Sequence, residues 1–378
     1  MKYRKFGRLE WMASALGFGA MRLPTIGGEG ANVDEAKAIA MIRYAVDHGL
    51  NYIDTAYGYH KGNSEIVVGK ALRDDYRKRV KIATKLPTWL VNSHADMDNC
   101  LNEQLKRLQT DHIDFYLLHG LQKERWTKML ELSVFDWAEK AISEGRIVNL
   151  GFSFHDGYEV FKNIVDGYEH WTFCQIQYNY ENEDLQAGTK GLKYAASKGL
   201  AVVIMEPLLG GYLTRPPDGV NGIWESANKD PVDMALQWLW NKPEVSVVLS
   251  GMSTMEQIQQ NVECASRSGV ETLTKDDLDL ISQVHHKYDE LRPIPCTKCG
   301  YCMPCPNGVD IPSNFETYNL GIAYNKLEMS KEQYNGKFFP PEKRASACKA
   351  CKKCEEKCPQ HIPISEWMPK VHQELSYK

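Results

Sequence analysis

The chain has 378 residues, with 45 Lys and Arg against 49 Asp and Glu, a formal net charge of −4 and 43% hydrophobic residues. That length allows one large domain plus a small one, and mild acidity without a dense basic tract excludes the electrostatic footprint of a nucleic-acid binder. No apolar run approaches the roughly 18 residues of a membrane-spanning helix, and the N-terminal MKYRKFGRLEWMASALGFG lacks a signal-peptide core, so a soluble, cytoplasmic protein with reduced thiols is expected.

Residues 3–14, YRKFGRLEWMAS, are expected to form a small hairpin ahead of the first apolar run. Eight such runs follow: ALGFGAM (15–21), NYIDTA (51–56), VKIATKL (80–86), HIDFYLLH (112–119), IVNLGFS (147–153), FCQIQYN (173–179), LAVVIMEP (200–207) and VSVVLSGM (245–252). Amphipathic stretches separate them, among them DEAKAIAMIRYAVDHG (34–49), ADMDNCLNEQLKRLQ (95–109) and EDLQAGTKGLKYAASKG (183–199). Nearly continuous apolar runs are what parallel strands buried on both faces look like. Eight βα units in about 250 residues predict an α/β fold of the (β/α)8 TIM barrel kind. A doubly wound sheet has similar periodicity, but no GxGxxG follows an early strand.

Chemistry in such a barrel gathers at the C-terminal ends of the strands. Asp54 and Thr55 end the second run, Lys85 lies in the third and His119 ends the fourth. Taken singly, Asp54 reads as a helix cap, Lys85 as a rim lysine and His119 as a hydrogen-bonded rim histidine. At three consecutive strand ends they read together as one site.

DELRPIP (289–295) reads as a linker, dividing a barrel over 1–290 from a small domain over 291–378. The small domain holds CTKCGYCMPCP (296–306) and CKACKKCEEKCP (348–359), two cysteine quartets. The remaining cysteines, Cys100, Cys174 and Cys264, read as core or near-core thiols. In a reducing compartment such quartets favour metal over disulfides. Zinc usually takes CxxC pairs across a longer loop. Cys348, Cys351, Cys354 and Cys358 instead follow the C-x2-C-x2-C-x3-C-P run of bacterial ferredoxins, whose fourth cysteine serves the other of two clusters. Two [4Fe–4S] clusters are therefore expected in an α-helical, ferredoxin-like domain. Cys296, Cys299, Cys302 and Cys358 would hold one, and Cys348, Cys351, Cys354 and Cys305 the other. The first quartet departs from the run by having two residues, not three, before its last cysteine. Between the quartets, SNFETYNLGIAYNKLEM (313–329) is expected to be helical, either packing the small domain or presenting a docking surface.

YIDTAYGYHKGNSE (52–65), IATK (82–85) and YLLH (116–119) resemble signatures of the aldo-keto reductases, in the expected order. With the C-terminal cysteines, the chain is similar to the branch of that family carrying an appended two-cluster ferredoxin-like domain. The resemblance implies a catalytic tetrad of Asp54, Tyr59, Lys85 and His119, with Tyr57 a packing neighbour. Tyr59 would be the general acid, its phenol drawn below the usual pKa of about 10 by Lys85. Asp54 would hold Lys85, and His119 would orient the carbonyl oxygen.

The resemblance also implies a nicotinamide site for NADP or NAD. Met21 and Arg22 would contact the cofactor, Ser153 and Gln177 would hold its carboxamide, and Met205 stands where the family usually stacks an aromatic. Pro207, Leu208 and Gly210 would lie by the pyrophosphate, and Gly251, Ser253, Gln257 and Asn261 at the adenosine end. Ser250 and Gln257 stand where basic residues often grip a 2′-phosphate. Phe154 replaces the usual Asn, and Gly120 the usual Trp.

The expectation is an oxidoreductase reducing a small carbonyl substrate, with the clusters carrying electrons to or from a ferredoxin-type partner. One alternative is a ferredoxin-coupled electron-transfer reductase using a bound flavin or radical step, since a hydride carries two electrons and a cluster one. Another is a redox- or cofactor-sensing binding protein with structural clusters. Neither nucleic acid nor membrane is expected as a partner.

Overall fold

A computed structural model of the chain describes residues 1–27, 30, 32–337 and 339–377. β1 (Tyr3–Lys5) and β2 (Met12–Ser14) pair antiparallel, as the expected hairpin. Eight parallel strands then close into a barrel: β3 (Leu16–Gly19), β4 (Tyr52–Asp54), β5 (Lys81–Leu86), β6 (Ile113–Leu121), β7 (Ile147–Phe154), β8 (Phe173–Gln177), β9 (Ala201–Met205) and β10 (Val245–Ser250), which pairs back onto β3. Each strand coincides with one of the eight apolar runs.

The helices between the strands start where the sequence supplies a cap. Asp34 accepts from the Lys37 N–H ahead of the helix Glu35–Asp47, and Ser93 accepts from Asp96 N–H ahead of His94–Leu108. The stretch expected to be helical over 183–199 forms a helix only from Gly188 to Ser197. Gly188 sits at φ +56°, and a Cβ there would come within 2.8 Å of the Glu183 carbonyl, so the chain turns before it winds.

Side chains alternate along a barrel strand between the axis and the helix layer. Tyr52, Ala83, Leu117, Phe173, Val203 and Leu249 belong to one buried apolar cluster inside the barrel, joined by Phe6 from the β1–β2 turn, which is fully buried. Burying a phenylalanine there contributes about 1.5–3 kcal/mol. Two positions further along the same strands, or just past their ends, come Asp54, Lys85, His119, Gln175, Met205 and Gly251. One period of two therefore carries apolar residues into the floor and, on four of these six strands, polar ones to the mouth.

The chain divides into two compact units, residues 1–209 with 233–273, and residues 210–232 with 274–378. The second unit begins before the linker at 289–295, because the helix Lys275–Leu291 packs within it: Tyr288 stacks on Tyr324 at 4.0 Å. Its core gathers Ile294, Phe315, Tyr334, Ile362, Met368 and Val371, with six of the eight quartet cysteines packed against it. The stretch expected to be helical over 313–329 falls in two helices, Ile311–Ala323 and Leu327–Asn335. Asn325, at φ 52°, breaks them. No helix among the described residues is long and apolar enough to cross a membrane.

Candidate active site

Neighbouring strand ends bring the predicted polar residues together. The registers set Asp54 opposite Ala83 and Lys85 opposite Leu117, two residues before His119. Lys85, with a side chain 1% exposed, donates to both Asp54 oxygens at 2.7 and 2.8 Å and to the Thr55 carbonyl at 2.8 Å. Its Nζ lies 3.5 Å from the Tyr59 hydroxyl. Burial works against the ammonium, but the charges of Asp54 and Tyr59 outweigh it, so the Lys85 pKa is raised. Burial raises Asp54 above the usual carboxylate range, against the pull of Lys85.

Tyr59 is delivered by a turn in which His60 and Lys61 both have positive φ, 50° and 56°. The turn is held because the His60 ring accepts the Leu23 N–H at its Nε2 and faces the Gly30 carbonyl with its Nδ1. Burial pushes the Tyr59 phenol above its ordinary value of 10.0, and Lys85 only partly offsets this. The expected lowering is thus reversed: at neutral pH the residue is a phenol with a proton to give. Tyr57 points elsewhere. Its hydroxyl donates to Glu103 at 2.7 Å, and the Arg107 guanidinium lies over its ring at 4.4 Å.

His119 meets the Tyr59 ring edge-on at 6.1 Å and the Trp89 ring at 5.0 Å. Its pKa is held well below 6.5 by burial first, then by Lys85, His155 and Arg125, so the imidazole is neutral. Behind these residues a fully buried carboxylate, Glu65, accepts from Thr84 at 2.6 Å, Gln104 at 2.7 Å and Arg107 at 3.0 Å. Gln104 also donates to the Lys85 carbonyl at 3.1 Å, fixing the strand that carries the lysine.

The predicted cofactor residues of the barrel unit fall into two groups. Ser153 Oγ accepts from the Gly120 N–H at 2.7 Å and keeps its own hydrogen to donate. Gln177 accepts from Gln186 at 3.0 Å and keeps its amide hydrogens. Met205 ends β9, followed by Pro207 and Leu208. His119 Nδ1 and Gln175 Oε1 are buried without a hydrogen-bond partner. This set of donors and acceptors fits a carboxamide ring in the mouth.

In the second group, Ser253 Oγ donates to the Arg22 carbonyl at 2.8 Å, and the Arg22 stem occupies the space a Cβ on Gly251 would need. Gln257 accepts from Ser253 N–H at 2.7 Å, and Asn261 donates to Ser250 at 2.9 Å. Met21 and Arg22 are exposed beside this loop. Gly210 belongs to the second compact unit. Phe154 turns outward onto Phe161, ring centroids 5.1 Å apart, so that departure from the usual Asn lies in the helix layer.

Residues 15–285 match the model of the Aldo/keto reductase family. The chain belongs to the aldo/keto reductase family. Its relatives include the uncharacterized oxidoreductase YqkF of Bacillus subtilis, 25% identical over 76% of this chain and 98% of that protein. L-galactose dehydrogenase of Arabidopsis thaliana is 28% identical over 75% of this chain and 93% of its own. Among solved structures, an aldo-keto reductase from Klebsiella pneumoniae in complex with NADPH superimposes with a TM-score of 0.61 at 26% identity, covering 75% of this chain and 95% of that one.

Four residues around this aldo/keto reductase site escaped the sequence reading: Trp89, Arg125, His155 and Gln186. Trp89 lies in the loop after β5, Arg125 in the helix Lys123–Glu131, and His155 just past β7. Loop residues obey no strand period, so the available signal was proximity: Trp89 four residues past Lys85, and Arg125 six past His119.

The reductase also carries a cysteine centre. Residues 295–362 match the 4Fe-4S dicluster domain. Cys296, Cys299, Cys302 and Cys358 line one cavity, with Phe315, Ile362 and Ile364 as its apolar wall. Cys354 lies within electrostatic reach of Cys348 and Cys305. Cys358 of the second quartet thus shares a cavity with three cysteines of the first, and Cys354 is within electrostatic reach of Cys302 as well. Asn307 Nδ2 donates to Cys351 Sγ at 3.8 Å and Ala350 N–H to Cys348 Sγ at 3.4 Å, the kind of contact that suits anionic sulfur. None of the eleven cysteines forms a disulfide.

Proposed function

We propose that this aldo/keto reductase reduces a small carbonyl compound with NADPH or NADH. One observation carries the reading: a buried ammonium, Lys85, bridges Asp54 and the hydroxyl of a protonated Tyr59 beside neutral His119. A bound nicotinamide supplies the hydride. Tyr59 gives its phenolic proton to the carbonyl oxygen, and Lys85 stabilises the phenolate left behind. Asp54 keeps Lys85 charged and in place, and His119 directs an N–H at the developing oxyanion. Ser153 and Gln177 hold the carboxamide, with Met205 against the ring. Met21, Arg22, Gly251, Ser253, Gln257 and Asn261 serve the adenosine end, and Pro207, Leu208 and Gly210 the pyrophosphate. The NADPH complex of the Klebsiella pneumoniae relative supports this reading. Anaerobic oxidation of NADPH and of NADH against a panel of aldehydes tests it, and a protein that oxidises neither with any of them sinks it.

In the C-terminal domain, Cys296, Cys299, Cys302 and Cys358 would hold one [4Fe–4S] cluster and Cys348, Cys351, Cys354 and Cys305 the other. The domain join is placed at 290/291. The clusters exchange single electrons with a ferredoxin-type protein partner, and the chain works in the cytoplasm, where thiolates stay available for cluster binding. Local charge supports the partner: residues 343–361 hold six Lys or Arg against two Glu in a chain of net charge −4. Cluster absorbance followed while a reduced one-electron donor is mixed with the protein tests this part.

A further inference from the structure

We propose that Arg125 is a substrate-recognition residue and that the carbonyl substrate carries a carboxylate. The proposal rests on the reductase reading and deepens it by naming a substrate class.

Gly120, the residue after His119, is shaped around this arginine. It sits at φ +62°, and a Cβ there would come within 2.8 Å of Arg125 Nη1. Any side chain at 120 would displace the guanidinium as well as strain the backbone. The peptide groups flanking Gly120 are held from both sides. Its N–H donates to Ser153 Oγ at 2.7 Å, and its carbonyl accepts from Arg125 Nη1 at 2.8 Å. The guanidinium therefore stands one residue from His119.

A second contact aims it. The guanidinium carbon lies 5.2 Å from the Trp89 ring centroid, and the same ring meets His119 at 5.0 Å. Trp89 is thus a shared wall between the histidine that faces the carbonyl and the arginine. The charge of Arg125 is also felt at His119 and at His155.

The third observation is the missing counter-ion. Arg125 is half-buried, and burial lowers its pKa. Among the described residues its hydrogen bonding is to the Gly120 carbonyl, and no carboxylate forms an ion pair with it. The opposing charge it feels is that of Glu124, its chain neighbour. One Nη1 contact leaves most of the five-donor fork unused, and a half-desolvated cation with free donors fits a planar anion bidentately. The anion and the reacting carbonyl would belong to one molecule, held at both ends.

Selectivity is the measurement. 4-Oxobutanoate is compared with butanal, 4-carboxybenzaldehyde with 4-methylbenzaldehyde, and glyceraldehyde 3-phosphate with glyceraldehyde, in wild type, Arg125→Met and Arg125→Lys. The wild type is expected to favour at least one carboxylate over its neutral counterpart by about 10- to 100-fold in kcat/KM, as a charged hydrogen-bonded pair provides. The ratio should fall toward one in Arg125→Met, chiefly through KM, and recover in part in Arg125→Lys. Because a ratio is read, a general loss of activity in a variant does not imitate the result. Equal use of charged and neutral aldehydes, an unchanged ratio in Arg125→Met, or a preference confined to the phosphate overturns the proposal. Quenching of tryptophan fluorescence by 4-(hydroxymethyl)benzoate gives a readout without turnover. Binding that weakens tenfold or more in Arg125→Met, in a protein that reduces no aldehyde, sinks the reductase reading while keeping the carboxylate site. Turnover without selectivity sinks the carboxylate site alone.

Discussion

Tyr59 and Tyr57 stand two residues apart, and what each hydroxyl meets separates them: Lys85 Nζ at 3.5 Å for one, Glu103 at 2.7 Å for the other. Tyr59→Phe is expected to lower kcat for aldehyde reduction by about 10²–10⁴-fold, the range for a lost acid, with the NADPH Kd unchanged within about twofold. Tyr57→Phe, losing only an exposed bond, should stay within about twofold of wild type. A Tyr59→Phe protein with most of its kcat would remove that residue from the chemistry. The direction of the phenol shift adds a pH test. Burial lifts Tyr59 above 10.0, so the acid stays protonated through neutral and mildly alkaline pH. The kcat profile for reduction should show no alkaline fall assignable to Tyr59 below its ordinary value. A limb near pH 8 that disappears in Tyr59→Phe would mean that Lys85 wins over burial. That Asp54, Lys85 and His119 come together was legible because they interrupt three consecutive strand ends, whereas Tyr59, in the turn after β4, came from the family resemblance. The pKa direction was not legible, because it depends on how dry the site is, and burial is a property of the closed barrel.

At the scale of elements, the eight apolar runs were legible as eight strands because continuous Val, Ile and Leu suit a sheet buried on both sides. The floor of the barrel was less visible. Phe6 lies in a polar hairpin, yet its ring meets Phe115 at 4.6 Å and Phe173 at 5.7 Å and is fully buried. Phe6→Ala should destabilise the barrel by about 3–5 kcal/mol in denaturant unfolding, since the hairpin cannot collapse onto the void. A loss under about 1 kcal/mol would show that the hairpin is an ornament on a barrel already closed. The cysteine segments give the second test. Cys358 shares its cavity with Cys296, Cys299 and Cys302 across more than fifty residues of chain. Cys358→Ser and Cys299→Ser should therefore perturb the same cluster signal in anaerobic EPR, and Cys305→Ser the signal changed by Cys351→Ser. If Cys305→Ser instead matches Cys299→Ser, each quartet serves its own cluster. The spacing rule made the place of Cys358 beside the first quartet legible. The break at Asn325 was not, because every residue around it is an acceptable helix former except the one placed at positive φ.

For the whole molecule, charge gives the two quartets different surroundings. Beside the first, Lys298 is neutralised by Glu316 at 2.8 Å. Around the second, Lys349, Lys352, Lys353 and Lys357 are exposed and none forms an ion pair among the described residues. Of the two acids among them, Glu355 turns its carboxylate to cap Ser365 N–H at 2.7 Å, and Glu356 is exposed. Cys351 is itself exposed. A one-electron partner docking over this loop should thus be acidic, attracted by a local field that salt screens within about 8 Å at physiological ionic strength. Cluster reduction by an acidic ferredoxin, followed by stopped-flow absorbance, should slow steeply between low and high salt. Reduction by a neutral small molecule should not. The double variant Lys352→Glu, Lys353→Glu should be slowed about tenfold or more with the acidic donor at low salt, and should converge on wild type at high salt, where both fields are screened. That convergence separates a steering surface from a damaged cluster, which would stay slow at every salt concentration and with either donor. A rate indifferent to salt and to both lysines would leave the basic loop a solvated face, and clusters that keep one oxidation state throughout turnover would make the cysteine centre a staple for the helices around it.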